Sequence, residues 1–374
     1  MHLRIAIITN IITSYREGFY DRLFSKPGFE ITVYCQDQIP GMNLKSIHSK
    51  YGSKIHLVKF WGAKMEKVGF QNLPIRKIIK NSDVIVLDGN PRILSNLLLG
   101  LVAFFLKNKK IIIWSMAHSY GANPITESIR LKWTSLYSNI FVYTDSEVDQ
   151  LRKRGFLKQN IIGMNNGLDQ EKIDRISFTW NRKQLDAWKE EKGFTNKTII
   201  LSSSRLAKKN KFEQVIQALT LIKDIEPNIL WCVIGKGDQE EMLKDLCKKY
   251  SVEKNVVFVG EIFDEEKIAP YFLTSILFVH PASIGLSIMH AFGYGLPVVV
   301  NGNKHMHGPE YGAFIEGVTG LNFKEGDSND LAAKILKLIN DPLTLEEMRK
   351  RVLKIAREDY NIDVMVDRFL QIVT

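Results

Sequence analysis

Cysteine is scarce in this chain. Among 374 residues only Cys35, Cys232 and Cys247 occur. An odd number without ligand-like spacing argues against a disulfide framework or a structural zinc site and suits a reducing cytosol. Long apolar runs are missing too. The longest, ILSNLLLGLVAFFL from Ile93 to Leu106, is too short to span a bilayer and contains Ser95 and Asn96. Its length and polar content predict a buried helix, and the KNKK that follows makes a membrane-surface helix the alternative. The opening MHLRIAIITNIIT lacks a basic leader region and a small-residue cleavage site, so it reads as a first buried strand. No Gly-x-Gly-x-x-Gly opens either half, which argues against a nicotinamide-binding protein. Zinc-finger spacing, basic heptads and an RNP-like aromatic pair are absent, and with them the signs of a nucleic-acid partner.

What is present is an ordinary globular composition, 45% apolar and 25% charged, in a chain long enough for two domains. Charge is unevenly spread. Residues 1–175 hold 25 Lys and Arg against 14 Asp and Glu, a net +11, which leaves 26 basic and 27 acidic residues, or −1, for the rest. A basic half suits an anionic partner, and a membrane surface or lipid-linked phosphate fits better here than nucleic acid.

Short β-branched runs alternate with longer amphipathic segments. RIAIIT, EITVYC, KIHLVKF, DVIVLD, KIIIWS, IFVYT and NIIGM come first, then TIILSSS, ILWCVIG, NVVFVG, ILFVH and PVVV. Runs apolar on both faces and separated by helical patterns predict parallel sheets, hence two α/β, Rossmann-like, doubly wound domains facing each other across a cleft. The expected divisions are a first domain at 1–175, a linker at 176–196 and a second domain at 197–359. A C-terminal helix, 360–374, is expected to pack back on the first domain.

The second half carries the denser motifs. LSSSRLAKKNKF is a strand followed by a loop with Arg205 and three lysines before a helix, a placement that suits a diphosphate, although a solvated basic loop would read the same. Gly235 and Gly237 end the next strand, where small residues let a ligand or a neighbouring loop approach. Ser283 reads as a helix N-cap with Ile284, Gly285 and Leu286 in the first turn. From it, Ser283, Ser287, His290 and Tyr294 fall on one helical face, a polar stripe that suits solvent, a wet cleft or a satisfied core histidine.

The ordered set of the Arg205 loop, Gly-x-Gly, NVVFVG, GLSIMHAFGYGLPVVV and GVTGLNF resembles the donor domain of family-4 retaining glycosyltransferases of the GT-B fold. ITNIITSYREGFYDRL, DVIVLDGNPRI, KIIIWSMAHS and MNNGLD resemble the acceptor domain of bacterial members that build surface polysaccharides such as lipopolysaccharide. The resemblance implies a cytoplasmic enzyme, peripheral at the inner membrane, that takes a nucleotide sugar and a saccharide or lipid-linked acceptor. It implies no resident cofactor or metal, in keeping with a sequence that has no Asp-x-Asp. It assigns the donor diphosphate to Arg205 and a lysine, with Asn210 at the usual lysine position and Lys209 or Lys211 as the substitute. It sets Gly285, Leu286 and Ser287 against donor phosphate or sugar, and it places His118 near the reacting carbon. Tyr15 and Arg16 fall to the acceptor. The two glutamates of the family map onto Ala282 and His290, so neither is kept; His290 remains able to hold a ribose hydroxyl.

Overall fold

The computed structural model describes residues 2–39, 46–62, 68–106, 108–118 and 124–374. The chain divides into two compact units, residues 1–169 with 362–374, and residues 170–361.

The first unit holds β1 (Leu3–Ile8), β2 (Phe29–Cys35), β3 (Ile55–Leu57), β4 (Phe60–Trp61), β5 (Phe70–Gln71), β6 (Val84–Asp88), β7 (Lys110–Trp114), β8 (Asn139–Val142) and β9 (Asn160–Gly163). Seven of these form a parallel sheet in the order β3-β2-β1-β6-β7-β8-β9, and β4 and β5 pair as a short antiparallel ribbon. KIHLVKF therefore splits: its strand ends at Leu57 and its last residue, Phe60, begins the ribbon. Helices α1 (Glu17–Ser25), α2 (Ile75–Asn81), α3 (Leu94–Phe104), α4 (Pro124–Ser135) and α5 (Asp145–Lys153) connect the strands. Two buried clusters fill the sheet's two faces, one lined by α1, the other by α2 to α5.

The second unit holds β10 (Thr198–Ser203), β11 (Ile229–Ile234), β12 (Val256–Gly260), β13 (Leu277–His280), β14 (Val298–Asn301) and β15 (Gly320–Phe323), parallel in the order β12-β11-β10-β13-β14-β15. All six residues of β11 are buried, as a central strand covered on both faces requires. Its helices are α6 (Gln170–Phe178), α7 (Arg182–Glu191), α8 (Glu213–Ile222), α9 (Glu240–Lys249), α10 (Glu265–Thr274), α11 (Ser287–Gly293), α12 (Ser328–Ile339) and α13 (Pro342–Glu358).

Segment 176–196, read above as a linker, holds the end of α6 and all of α7 and groups with the second unit. A reciprocal capping box between Asn181 and Gln184 starts α7, which explains a helix in a stretch with few apolar residues. Helix α14 (Ile362–Val373) groups with the first unit and buries Ile362, Met365, Val366, Phe369, Ile372 and Val373, with Phe369 edge-on to Phe19 at 5.9 Å.

Helix α3 corrects an expectation. The helix is there, but its apolar face is not buried: Ser95, Asn96, Leu99, Gly100 and Ala103 face the protein, while Leu94, Leu98, Leu101, Val102 and Phe104 are exposed. The polar residues are inward because they have partners: Ser95 Oγ accepts from the Gln71 amide (2.9 Å), and Asn96 donates to the Asp88 carbonyl (3.4 Å).

Candidate active site

In the second unit, β10 and β11 end side by side. The loop after β10 lies against the residues after β11: Ser204 donates to the Ile234 carbonyl (3.0 Å), Leu206 to Lys236 (3.0 Å) and Gln239 to Leu206 (3.0 Å). A Cβ on Gly235 would strike the Ser204 carbonyl, and one on Gly237 that of Leu206; Gly235 also has φ +145°. The neighbour that needs these glycines is thus this loop. Asn210, buried, braces it by donating to Ser204 Oγ (3.0 Å) and to the Arg205 carbonyl (2.6 Å). Arg205 and Lys209 stand exposed at its edge, and neither makes an ion pair among the described residues. Lys211, in the left-handed region, is engaged with Glu325 at 3.1 Å. Of the two lysine candidates, only Lys211 is held in an ion pair among the described residues.

The segment after β13 departs from expectation. Helix α11 begins at Ser287 with Leu286 as N-cap, so Ser283 does not cap it and residues 283–285 have no regular structure. A histidine ring holds this loop instead. Ile284 donates its amide to His307 Nδ1 (3.1 Å), and His307 Nε2 donates to the Asn301 carbonyl (2.7 Å). That uses both nitrogens of a neutral imidazole, and burial lowers the His307 pKa accordingly. Gly285 faces the buried Glu310: Oε2 lies 3.7 Å from where a Cβ on this glycine would be.

His290 also has a partner that the sequence did not reveal. Its Nε2 donates to Glu265 Oε1 (2.8 Å), which accepts in addition from Tyr294 Oη (2.6 Å); Phe272 lies under the imidazole at 4.3 Å. Burial opposes ionisation of Glu265, but hydrogen bonds and charge from His290 outweigh it and bring its pKa below the usual value. Two carboxylates thus lie against this segment, and each comes from another element.

In the first unit, a cavity of about 240 Å³ opens where β6 and β7 end, lined by Asn10, Asp88 to Arg92, Trp114 to Met116, Thr126, Arg130 and Tyr143. Asp88 Oδ1 accepts from the Asn90 amide (3.0 Å), and burial pushes its carboxyl pKa up to about 6. Arg130 is 8% exposed, and its Nε and Nη2 make no hydrogen bond among the described residues. The nearby acids are committed elsewhere: Glu147 accepts from the amides of Ala117 (2.7 Å) and Tyr143 (2.8 Å), and Glu127 meets Arg154 (2.6 Å) and His118 Nδ1 (3.2 Å). Arg16 stacks on Trp114, Tyr15 and Phe19, with its guanidinium 5.4 Å from the Trp114 ring, and has no acid partner among the described residues. Tyr15 is exposed beside it.

The sequence reading missed Asp88, Arg130, Glu265 and Glu310. Asp88 had a signal, an acid at the carboxyl end of a buried strand. The other three sit in helical patterns where a charge normally faces water.

Residues 185–359, within the second unit, match the family model described as glycosyl transferases group 1. An uncharacterized glycosyltransferase of Methanocaldococcus jannaschii is 24% identical over 301 residues, 75% of this chain and 72% of that protein. N-acetyl-alpha-D-glucosaminyl L-malate synthase of Bacillus anthracis is 22% identical over 198 residues, 52% of this chain and 50% of the relative. Among solved structures, HepE of Anabaena in complex with UDP superposes with a TM-score of 0.72 at 16% identity, covering 99% of both chains.

Proposed function

We propose that this glycosyltransferase of the GT-B fold is a retaining, family-4-type enzyme of cell-surface polysaccharide assembly, lipopolysaccharide included. It moves a sugar from a nucleotide donor, uridine nucleotides first among the candidates, to an anionic saccharide or lipid-linked saccharide. The observation that carries this reading is the pair of exposed cations, Arg205 and Lys209, on the loop leaving β10.

Charge develops on the departing diphosphate, and these two cations offset it without a divalent ion. The backbone at Gly285, Leu286 and Ser287 meets the donor phosphate or sugar, and the Ser283 hydroxyl adds a further contact. Glu310 and Glu265 accept from sugar and ribose hydroxyls in place of the acids absent at Ala282 and His290. The acceptor hydroxyl attacks the anomeric carbon on the face from which the diphosphate leaves. Its oxygen forms the new C–O bond as the old one breaks, and its proton passes to the leaving phosphate oxygen. His118 hydrogen-bonds the transferring sugar, and Tyr15 and Arg16 border the acceptor.

Arg130 and Arg92 line the first-unit cavity and favour an acidic group on the acceptor, while Asp88 takes a hydrogen bond from its hydroxyl. The Bacillus anthracis relative, whose name includes the diacid L-malate, is in line with that preference. The test is transfer by the purified chain from a panel of sugar nucleotides to neutral and acidic acceptors. Arg205→Ala should lower kcat/KM by about 10²–10³, the range seen when one charge-stabilising group is removed. Arg130→Met should lower it for acidic acceptors only and leave donor hydrolysis intact. No thermal shift with any sugar nucleotide, or an indifferent Arg205→Ala, would overturn the reading.

A further inference from the structure

Helix α3 is turned inside out relative to a soluble surface helix. Its exposed face carries Leu94, Leu98, Leu101 and Phe105, spaced i, i+4, i+7 and i+11, and Phe105 is 77% exposed. Small inward residues hold it close to its neighbours: a side chain at Gly100 would strike Tyr137 and Trp133. On α4, Ile125 (70% exposed) and Ile129 extend the apolar surface. At the other end the β4–β5 ribbon is tied to α3, with the Leu94 amide donating to the Gly69 carbonyl (2.8 Å), and it displays Trp61 (64% exposed) and Val68.

Charge decides what covers it. Neither α2 nor α3 contains an acidic residue, and the single acid of α4, Glu127, is paired with Arg154 and His118. Exposed bases stand on the neighbouring segments: Arg76, Lys77 and Lys80 on α2, Lys132 on α4 and Lys59 before the ribbon. Ile78 of α2 shares a buried cluster with Leu99 and Ala103 of α3, which sets the two helices on the same face of the sheet. An apolar helix face, a tryptophan at its end and exposed bases, with no unpaired acid among the described residues of α2, α3 and α4, match a bilayer interface: acyl chains below, anionic headgroups around. A protein partner would have to be both apolar and acidic. Among the described residues no helix is long and apolar enough to cross a membrane, so the contact lies in the interface plane.

We infer that α3, with Trp61 and Ile125 beside it, is a docking surface for an anionic phospholipid membrane. The inference holds whatever the donor and acceptor are. The experiment is flotation of the purified full chain with vesicles of phosphatidylcholine alone or mixed with phosphatidylglycerol. Binding is expected only to the mixed vesicles. It should weaken at least tenfold as salt rises from about 0.1 to 1 M and the screening length falls from about 10 to 3 Å. The exposed double substitution Leu98→Ser with Leu101→Ser, and separately Lys77→Glu with Lys80→Glu, should each reduce binding at least tenfold with an unchanged melting temperature. Should either pair fail to fold, Trp61→Ser, on the ribbon outside the helices, takes its place. Absence of binding to mixed vesicles, or binding that ignores both pairs, would overturn the inference. So would a stable dimer that the Leu98/Leu101 pair dissociates while vesicle binding is absent, since a second copy would then cover the face.

Discussion

His290 shares the Glu265 carboxylate with Tyr294 and lies on the Phe272 ring. Cutting it back to alanine leaves a largely buried carboxylate short of one donor, at a cost of about 1–3 kcal/mol. His290→Gln keeps an N–H and should lie much closer to the parent. His290→Glu sets two carboxylates against each other, so one must hold a proton well above its ordinary pKa. A group raised in this way stabilises the fold below its unfolded pKa and withdraws that support as pH rises. Thermal melting at pH 5 and 8 should therefore show a parent-like glutamine variant, an alanine variant lower at both, and a glutamate variant whose deficit grows toward pH 8. Equal pH behaviour of the glutamate variant and the parent would contradict the Glu265 contact. The absence of acids at Ala282 and His290 was plain from the sequence. The nearness of Glu265 and Glu310 was not, because they belong to other elements, and only the tertiary fold decides which side chain is opposite which.

At the scale of elements, the parallel strands were legible because β6, β10, β11 and β13 are runs apolar on both faces. The start of α11 was not: Ser283 resembles a cap in sequence, but the His307 ring holds the adjacent Ile284 amide in a loop and the helix begins only at Ser287. The direction of α3 was equally hidden: periodicity marks a helix, but an apolar face has the same period whether it meets a core or a membrane. Between strands, the junction of β10 and β11 makes the sharpest demand. Gly235→Ala and Gly237→Ala each force a methyl into a backbone carbonyl, so the strands or the loop must separate, at roughly 1–3 kcal/mol or more of strain. Gly193 is the control, with φ +71° and nothing within 4 Å of an added Cβ; its alanine variant bears only the conformational penalty of about 1 kcal/mol. All three variants should melt lower, but only the first two should lose donor affinity by calorimetry, because they displace Arg205 and Lys209, the cations proposed for the diphosphate. Unaltered donor binding in Gly235→Ala would separate the loop from the site.

Across the whole molecule, individual buried groups respond to acid in opposite directions. In the first unit, Asp88 has a pKa pushed up to about 6, so what its neutral form contributes to stability fades as pH rises through that value. In the second unit, His280 is fully buried beside Phe212, and burial takes its pKa from about 6.5 down to about 4. His307 is lowered as well. A histidine kept neutral in the fold leaves the unfolded chain to bind the proton first, so stability is complete above about pH 6.5 and is lost as pH falls toward 4. For His280 alone the loss amounts to about 3 kcal/mol, of which about 2 kcal/mol is gone by pH 5, or ~30-fold in the unfolding equilibrium. Hydrogen exchange followed peptide by peptide, corrected for the intrinsic rate, should show protection in β10, β11 and β13 falling by that order between pH 7.5 and 5. His280→Leu should remove much of the fall, because leucine keeps the volume and has nothing to protonate. Protection that stays level in the parent would mean that His280 is charged in the folded chain, and the packing of β13 against Phe212 would then need another account.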